Sequence, residues 1–134
     1  MSSELFERIR FRGNPEANPQ SIVISENARF TVLAPRLLRL EWAENGAFED
    51  RGSYAFPTRY REPAPHFTSR VEGEELQINT GALQLCYRQG RGRFTAENLN
   101  ITFELHGERQ TWHPGDANPQ NLRGTRRTLD QCNG

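Results

Sequence analysis

The chain has 134 residues, 34% of them hydrophobic and 25% charged. That is room for one domain and too little for a catalytic (β/α)8 barrel, which takes roughly 250 residues. All 17 basic residues are arginine and 17 acids balance them to a formal net charge of zero, so long-range attraction to nucleic acid or an anionic membrane is not favoured.

At the N-terminus, Met1 to Arg10 holds no apolar run of the roughly 7–15 residues that a secretory signal needs. No segment reaches the about 20 apolar residues of a membrane span. A cytoplasmic location is therefore the expectation. Two cysteines, Cys86 and Cys132, fit it, because small secreted domains that need staples usually carry more. Asn14-Pro15 and Asn18-Pro19 suggest that residues 1–20 form a loosely attached arm.

From residue 21 onward the dominant period is two. Phe30, Val32 and Ala34 share one face of a strand that Pro35 ends, since proline cannot donate to a ladder. Leu38, Leu40 and Trp42 lie opposite Arg39 and Glu41, and Asn45-Gly46 supplies a turn. Phe67, Ser69 and Val71 pair with Leu76 and Ile78 across Glu72-Gly73-Glu74-Glu75. Leu83, Leu85 and Tyr87 alternate with Gln84, Cys86 and Arg88, and Gln89-Gly90-Arg91-Gly92 turns the chain. Leu99, Ile101, Phe103 and Leu105 then form the apolar face of a further strand. Short strands about ten residues apart, with no sustained 3.6-residue pattern, predict an antiparallel all-β sandwich. Leu85, Leu99, Ile101 and Phe103 are expected in its core.

Two stretches break the period. Residues 52–65 hold Tyr54, Phe56 and Tyr60 among three prolines, which suits a long ordered loop rather than a central strand. Residues 107–120 carry Pro114, Pro119 and the Asp116-Ala-Asn-Pro turn signal, and read as irregular.

Few residues suggest chemistry. His66, His106, His113 and the two cysteines lack the close paired spacings of structural zinc sites, so no metal is expected, and a Cys86–Cys132 bridge is less expected than two free thiols. Glu49-Asp50 and Glu74-Glu75 fall in turns and read as solvated charge, not as an acid and base pair. The segment Arg88 to Phe94, with spaced Arg-Gly units beside an aromatic, could track phosphates and stack on bases. A glycine turn in a neutral chain explains it better.

The run Asn121-Leu122-Arg123-Gly124-Thr125-Arg126-Arg127-Thr128-Leu129-Asp130 resembles a string in the N-terminal domain of glycoside hydrolase family 31, the α-glucosidase and α-xylosidase family. Arg123 stands in the first glycine position of that string, and Gln131 and Cys132 displace its closing glycine to Gly134. Upstream pieces are similar in the same order: Val32-Leu33-Ala34-Pro35, Phe48-Glu49-Asp50-Arg51, Thr80-Gly81-Ala82-Leu83 and Trp112-His113-Pro114-Gly115-Asp116. The resemblance spans Ser25 to Gly134.

It implies a galactose-mutarotase-like β-sandwich over residues 21–134, preceding a catalytic barrel that this chain lacks. In that family a retaining mechanism uses two carboxyl groups about 5 Å apart, both expected on the barrel. No catalytic residue and no cofactor is therefore expected here. The implied partners are the barrel and, indirectly, an α-linked oligosaccharide. Tyr54, Phe56, Tyr60, Arg123, Arg126 and Arg127 are the candidate contacts with barrel or substrate edge, because aromatics and arginines are enriched at interfaces. Two alternatives stay open. One is a stand-alone carbohydrate-binding module using Trp42, Tyr54, Phe56, Tyr60 or Trp112, and the other an arginine-rich nucleic-acid-binding protein.

Overall fold

A computed structural model describes residues 12–121. Alternating apolar side chains and tight links build eight strands, all antiparallel to their neighbours. β1 (Ile22–Ser25), β2 (Ala28–Ala34) and β3 (Leu37–Trp42) form a three-stranded meander. β4 (Thr68–Glu72), β5 (Glu75–Asn79), β6 (Leu83–Arg88), β7 (Leu99–Leu105) and β8 (Glu108–Trp112) form a five-stranded one. The only helical element among the described residues is a 3-10 turn at Pro19–Ser21, capped by the Asn18 side chain.

The expected strands occur where the period placed them, and the β4–β5 hairpin has the expected pairing, with Val71 opposite Leu76 and Ser69 opposite Ile78. Two strands escaped the period. β1 is only four residues long and lies at a sheet edge. β8 falls inside the stretch expected to be irregular. It forms because His106 and Gly107 both take positive φ (53° and 81°) and close a two-residue link between Leu105 and Glu108, the backbone that the twist of a tight hairpin demands. Its residues Glu-Arg-Gln-Thr-Trp are exposed throughout, so no buried face marked it in the sequence.

The two sheets face each other across one core. Ala28, Phe30 and Val32 from β2 meet Leu76 and Ile78 from β5, Leu85 and Tyr87 from β6 and Leu99 from β7. Phe94, from the β6–β7 link, completes a ring cluster with Phe30 and Tyr87 at centroid separations of 5.3–5.7 Å, within the favourable range for offset and edge contacts. Phe94 is thereby spent on packing and is not offered to a nucleobase.

The structure corrects the expected core. Leu85 and Leu99 are buried, whereas Ile101 and Phe103 are only half-buried and Leu105 is 48% exposed, although all four residues of β7 point to the same side. Val71 on β4 is likewise left open at the other edge.

The part of the expected N-terminal arm that is described is tied down rather than loose. Asn14 accepts from the backbone N–H groups of Arg59 and Tyr60, and its own N–H donates to Thr58 Oγ1. The buried Asn18 side chain donates to the Arg61 carbonyl at 3.0 Å. At Gly13 an added Cβ would run into the Pro57 carbonyl, so glycine is what lets these two segments lie together.

Candidate functional site

The second face of β2 is buried as fully as the first, which is unusual for an outer sheet face. Arg29, Thr31 and Leu33 are all below 8% exposed, and the cover is the long connection between Ala43 and Phe67. Antiparallel pairing sets Arg29 directly opposite Glu41 and Thr31 opposite Arg39. A guanidinium and a carboxylate facing each other under a lid form a fork. Arg29 Nε donates to Glu41 Oε2 at 2.7 Å and Nη2 to Oε1 at 3.0 Å.

The connection is fastened to this fork by its own acid and carbonyls. Arg29 Nη1 donates to Asp50 Oδ1 at 2.7 Å, and the Phe48 ring lies 4.8 Å from the same guanidinium. Three guanidiniums converge on one carbonyl oxygen, that of Glu49, from Arg29 at 3.1 Å, Arg39 at 3.0 Å and Arg59 at 3.3 Å. Arg59 also donates to the carbonyls of Pro15 at 3.2 Å and Arg51 at 2.6 Å. The Glu49 carboxylate turns the other way and pairs with Arg51 at 2.7 Å.

The titration of the cluster follows from these contacts. Burial alone would lower the pKa of Arg29, but hydrogen bonds and charge from Glu41 and Asp50 outweigh it and hold the group above its ordinary value. Arg39 is lowered, by burial first and then by the charges of Arg59 and Arg29, against the opposing pull of Glu41. Hydrogen bonds from the Arg51 side chain and backbone bring Glu49 from 4.5 down to about 2. Glu49 and Asp50 are exposed, as expected of solvated charge, and each also pairs with an arginine.

Between this cluster and the loop lies a pocket of about 450 Å3, lined by Arg39, Arg51 and Arg59 with Glu49, Ser53 and Phe56. The expected contact residues surround it unevenly. Phe56 lines it and is 46% exposed. Tyr54 stands clear of the fold at 99% exposure, and Tyr60 is 36% exposed with its hydroxyl donating to Glu62 at 3.0 Å. Arg123, Arg126 and Arg127, like Cys132 and the string from Leu122 onward, lie outside the described residues.

A second surface is apolar. On the five-stranded sheet, Leu83, Ile101, Phe103, Leu105 and Trp112 line a groove of about 330 Å3 with Arg36. Register explains the grouping: Leu83 is opposite Phe103 on one side and Ile101 opposite Trp112 on the other. Trp42, by contrast, packs against the core beneath Arg93.

Sequence reasoning placed the loop and its aromatics but overlooked Arg29, Arg39, Glu41 and Arg59. The available signal was an arginine near the start of the largely apolar run Ala28–Ala34, which a hairpin with the next strand sets directly opposite Glu41. Cys86 is a half-buried free thiol, its pKa raised by burial first and by the charge of Glu75. Among the described residues no group of three or more His, Cys, Asp or Glu is placed to hold a metal ion, and no helix is long and apolar enough to cross a membrane. No protein-family model and no curated protein sequence matches this chain.

Proposed function

We propose that this chain is the non-catalytic N-terminal sandwich of a cytoplasmic retaining α-glycosidase of the family 31 kind, with the galactose-mutarotase-like fold that the resemblance implies. It packs on the catalytic barrel and shapes one edge of the substrate pocket. The observation that carries the packing role is the uncovered groove at Leu83, Ile101, Phe103, Leu105 and Trp112. Half-buried and exposed apolar side chains grouped on one sheet suit a partner surface. The glycosidase assignment rests on the five family-like pieces of sequence.

The test is to express the coding region extended past Gly134 beside the 134-residue chain. The extended protein should hydrolyse an aryl α-glucoside, the short chain should not, and amide exchange in β7 and β8 should slow in the extended protein. Turnover by the short chain, or an extended protein without α-glycosidase activity, would remove the reading.

A stand-alone carbohydrate-binding module is the second reading, favoured by the fully exposed Tyr54 beside Phe56. Planar rings held out from a loop can stack on pyranose faces. It requires the short chain to bind a maltooligosaccharide with a dissociation constant below about 1 mM, and that binding to vanish in Tyr54→Ala or Tyr60→Ala.

A further inference from the structure

The arginine cluster is short of one negative charge. Arg29, Arg39, Arg51 and Arg59 face Glu41, Glu49 and Asp50, and each of those three acids is already in contact with an arginine. Arg59 is the cation left over. It is only 5% exposed, has no acid within ion-pair distance among the described residues, and its Nε has no hydrogen-bond acceptor. A guanidinium does not shed its proton to relieve burial, and a buried unpaired charge is costly. Its terminal nitrogens lean on backbone carbonyls, one of them shared with Arg29 and Arg39. A carbonyl oxygen has two lone pairs, so three donors exceed what it can satisfy.

We propose that the pocket beside Arg59 is a binding site for a small organic acid, with a single carboxylate seated at the Arg39–Arg59 side. The carboxylate supplies the charge that closes the balance, beside the Arg39 and Arg59 side chains that line the pocket, while Arg59 Nε itself is enclosed by protein. A monoanion matches the deficit, whereas a phosphate dianion overshoots it. The Ser53 oxygen accepts from the Phe56 N–H, which leaves the hydroxyl proton to donate to the acid. The pocket volume, about 450 Å3, lies in the range of roughly 300–1,000 Å3 typical of small-molecule sites. The half-exposed Phe56 ring offers an apolar wall for the body of the acid. The inference does not depend on the glycosidase reading.

The experiment follows arginine Nε–H resonances of the 15N-labelled chain during titration with sodium benzoate, sodium acetate and sodium phosphate at constant ionic strength. The Arg59 resonance should shift saturably with both carboxylates, more tightly with benzoate. The Arg29 signal, already satisfied by Glu41, should stay in place. Phe56→Ala should remove the preference for benzoate, and Arg39→Gln should weaken both acids about tenfold while its amide spectrum shows the fold intact. An Arg59 resonance that never saturates, that responds equally to chloride, or that saturates more tightly with phosphate overturns the proposal. Because the wild-type titration decides the matter, an unfolded variant would not.

Discussion

Arg29 shows how one side chain can hold a long connection. Its fork to Glu41 lies under the loop, with side-chain exposures of 9% and 13%, while Asp50 remains 56% exposed. Removing one member of such a pair strands the other charge, at a cost of about 3–5 kcal/mol. Glu41→Leu, which takes the shared acid from both Arg29 and Arg39, should therefore lower the urea-unfolding free energy by that order. Adding Arg29→Met and Arg39→Met should recover much of it, because no buried charge of this group is left alone. Loss of equal size in the combined variant would show that packing of the arginine stems, not charge, is what matters. Glu49 contributes with a definite pH sign. Its folded pKa of about 2 lies below 4.5, so its ion pair with Arg51 is fully present above about 4.5 and is lost as pH falls through about 2. Both partners are on the surface, and salt will screen the effect. Carboxyl 13C titration should give a Glu49 midpoint near 2, and Arg51→Ala should return it toward the ordinary carboxylate value.

At the level of strands, burial separates positions that alternation alone treats as equal. Leu85 on β6 is fully enclosed, and Leu85→Ala should cost about 2–5 kcal/mol. Its neighbour Gln84 points outward and is exposed, so Gln84→Ala should stay within about 0.5 kcal/mol. Phe103→Ala should fall between them, since that ring is half-buried. Chemical denaturation of the three variants checks the order. A loss at Phe103 as large as at Leu85 would mean that something already covers the groove. The period of two was enough to read β2 to β7 because each alternates apolar and polar residues over part of its length, even β4, which is exposed throughout. It failed for β1, which is too short to repeat, and for β8, whose five residues bury nothing and whose existence depends on the positive φ of His106 and Gly107.

For the molecule as a whole, the groove at Leu83, Ile101, Phe103, Leu105 and Trp112 is an apolar surface open to a partner. Leu105→Lys with Trp112→Lys replaces exposed apolar area by charge at positions 48% and 39% exposed. The isolated chain should lose little stability. On the proposed reading, the same variant in an extended protein carrying the barrel should weaken the packing of the two, read as faster amide exchange in β7 and lower thermal stability of the proposed α-glycosidase activity. An unchanged extended protein would place the interface elsewhere.

The sequence by itself determined the all-β class, six of the strands and the identity of most core residues, because side-chain alternation is a local property that survives in one dimension. It also marked residues 52–65 as an ordered loop, since prolines exclude a central strand and aromatics exclude an idle linker. Only the tertiary structure decided that this loop folds back over the outer face of β2. Alternation says that Arg29, Arg39 and Glu41 leave the core, and it equates leaving the core with meeting water. The loop removes that water, and with it the screening, so charges that would be incidental on an open sheet become a buried network with one arginine unmatched. Which half of an apolar strand is covered is likewise settled by what packs against it, as Leu99 and Leu105 on β7 show, and no single strand carries that in its own residues.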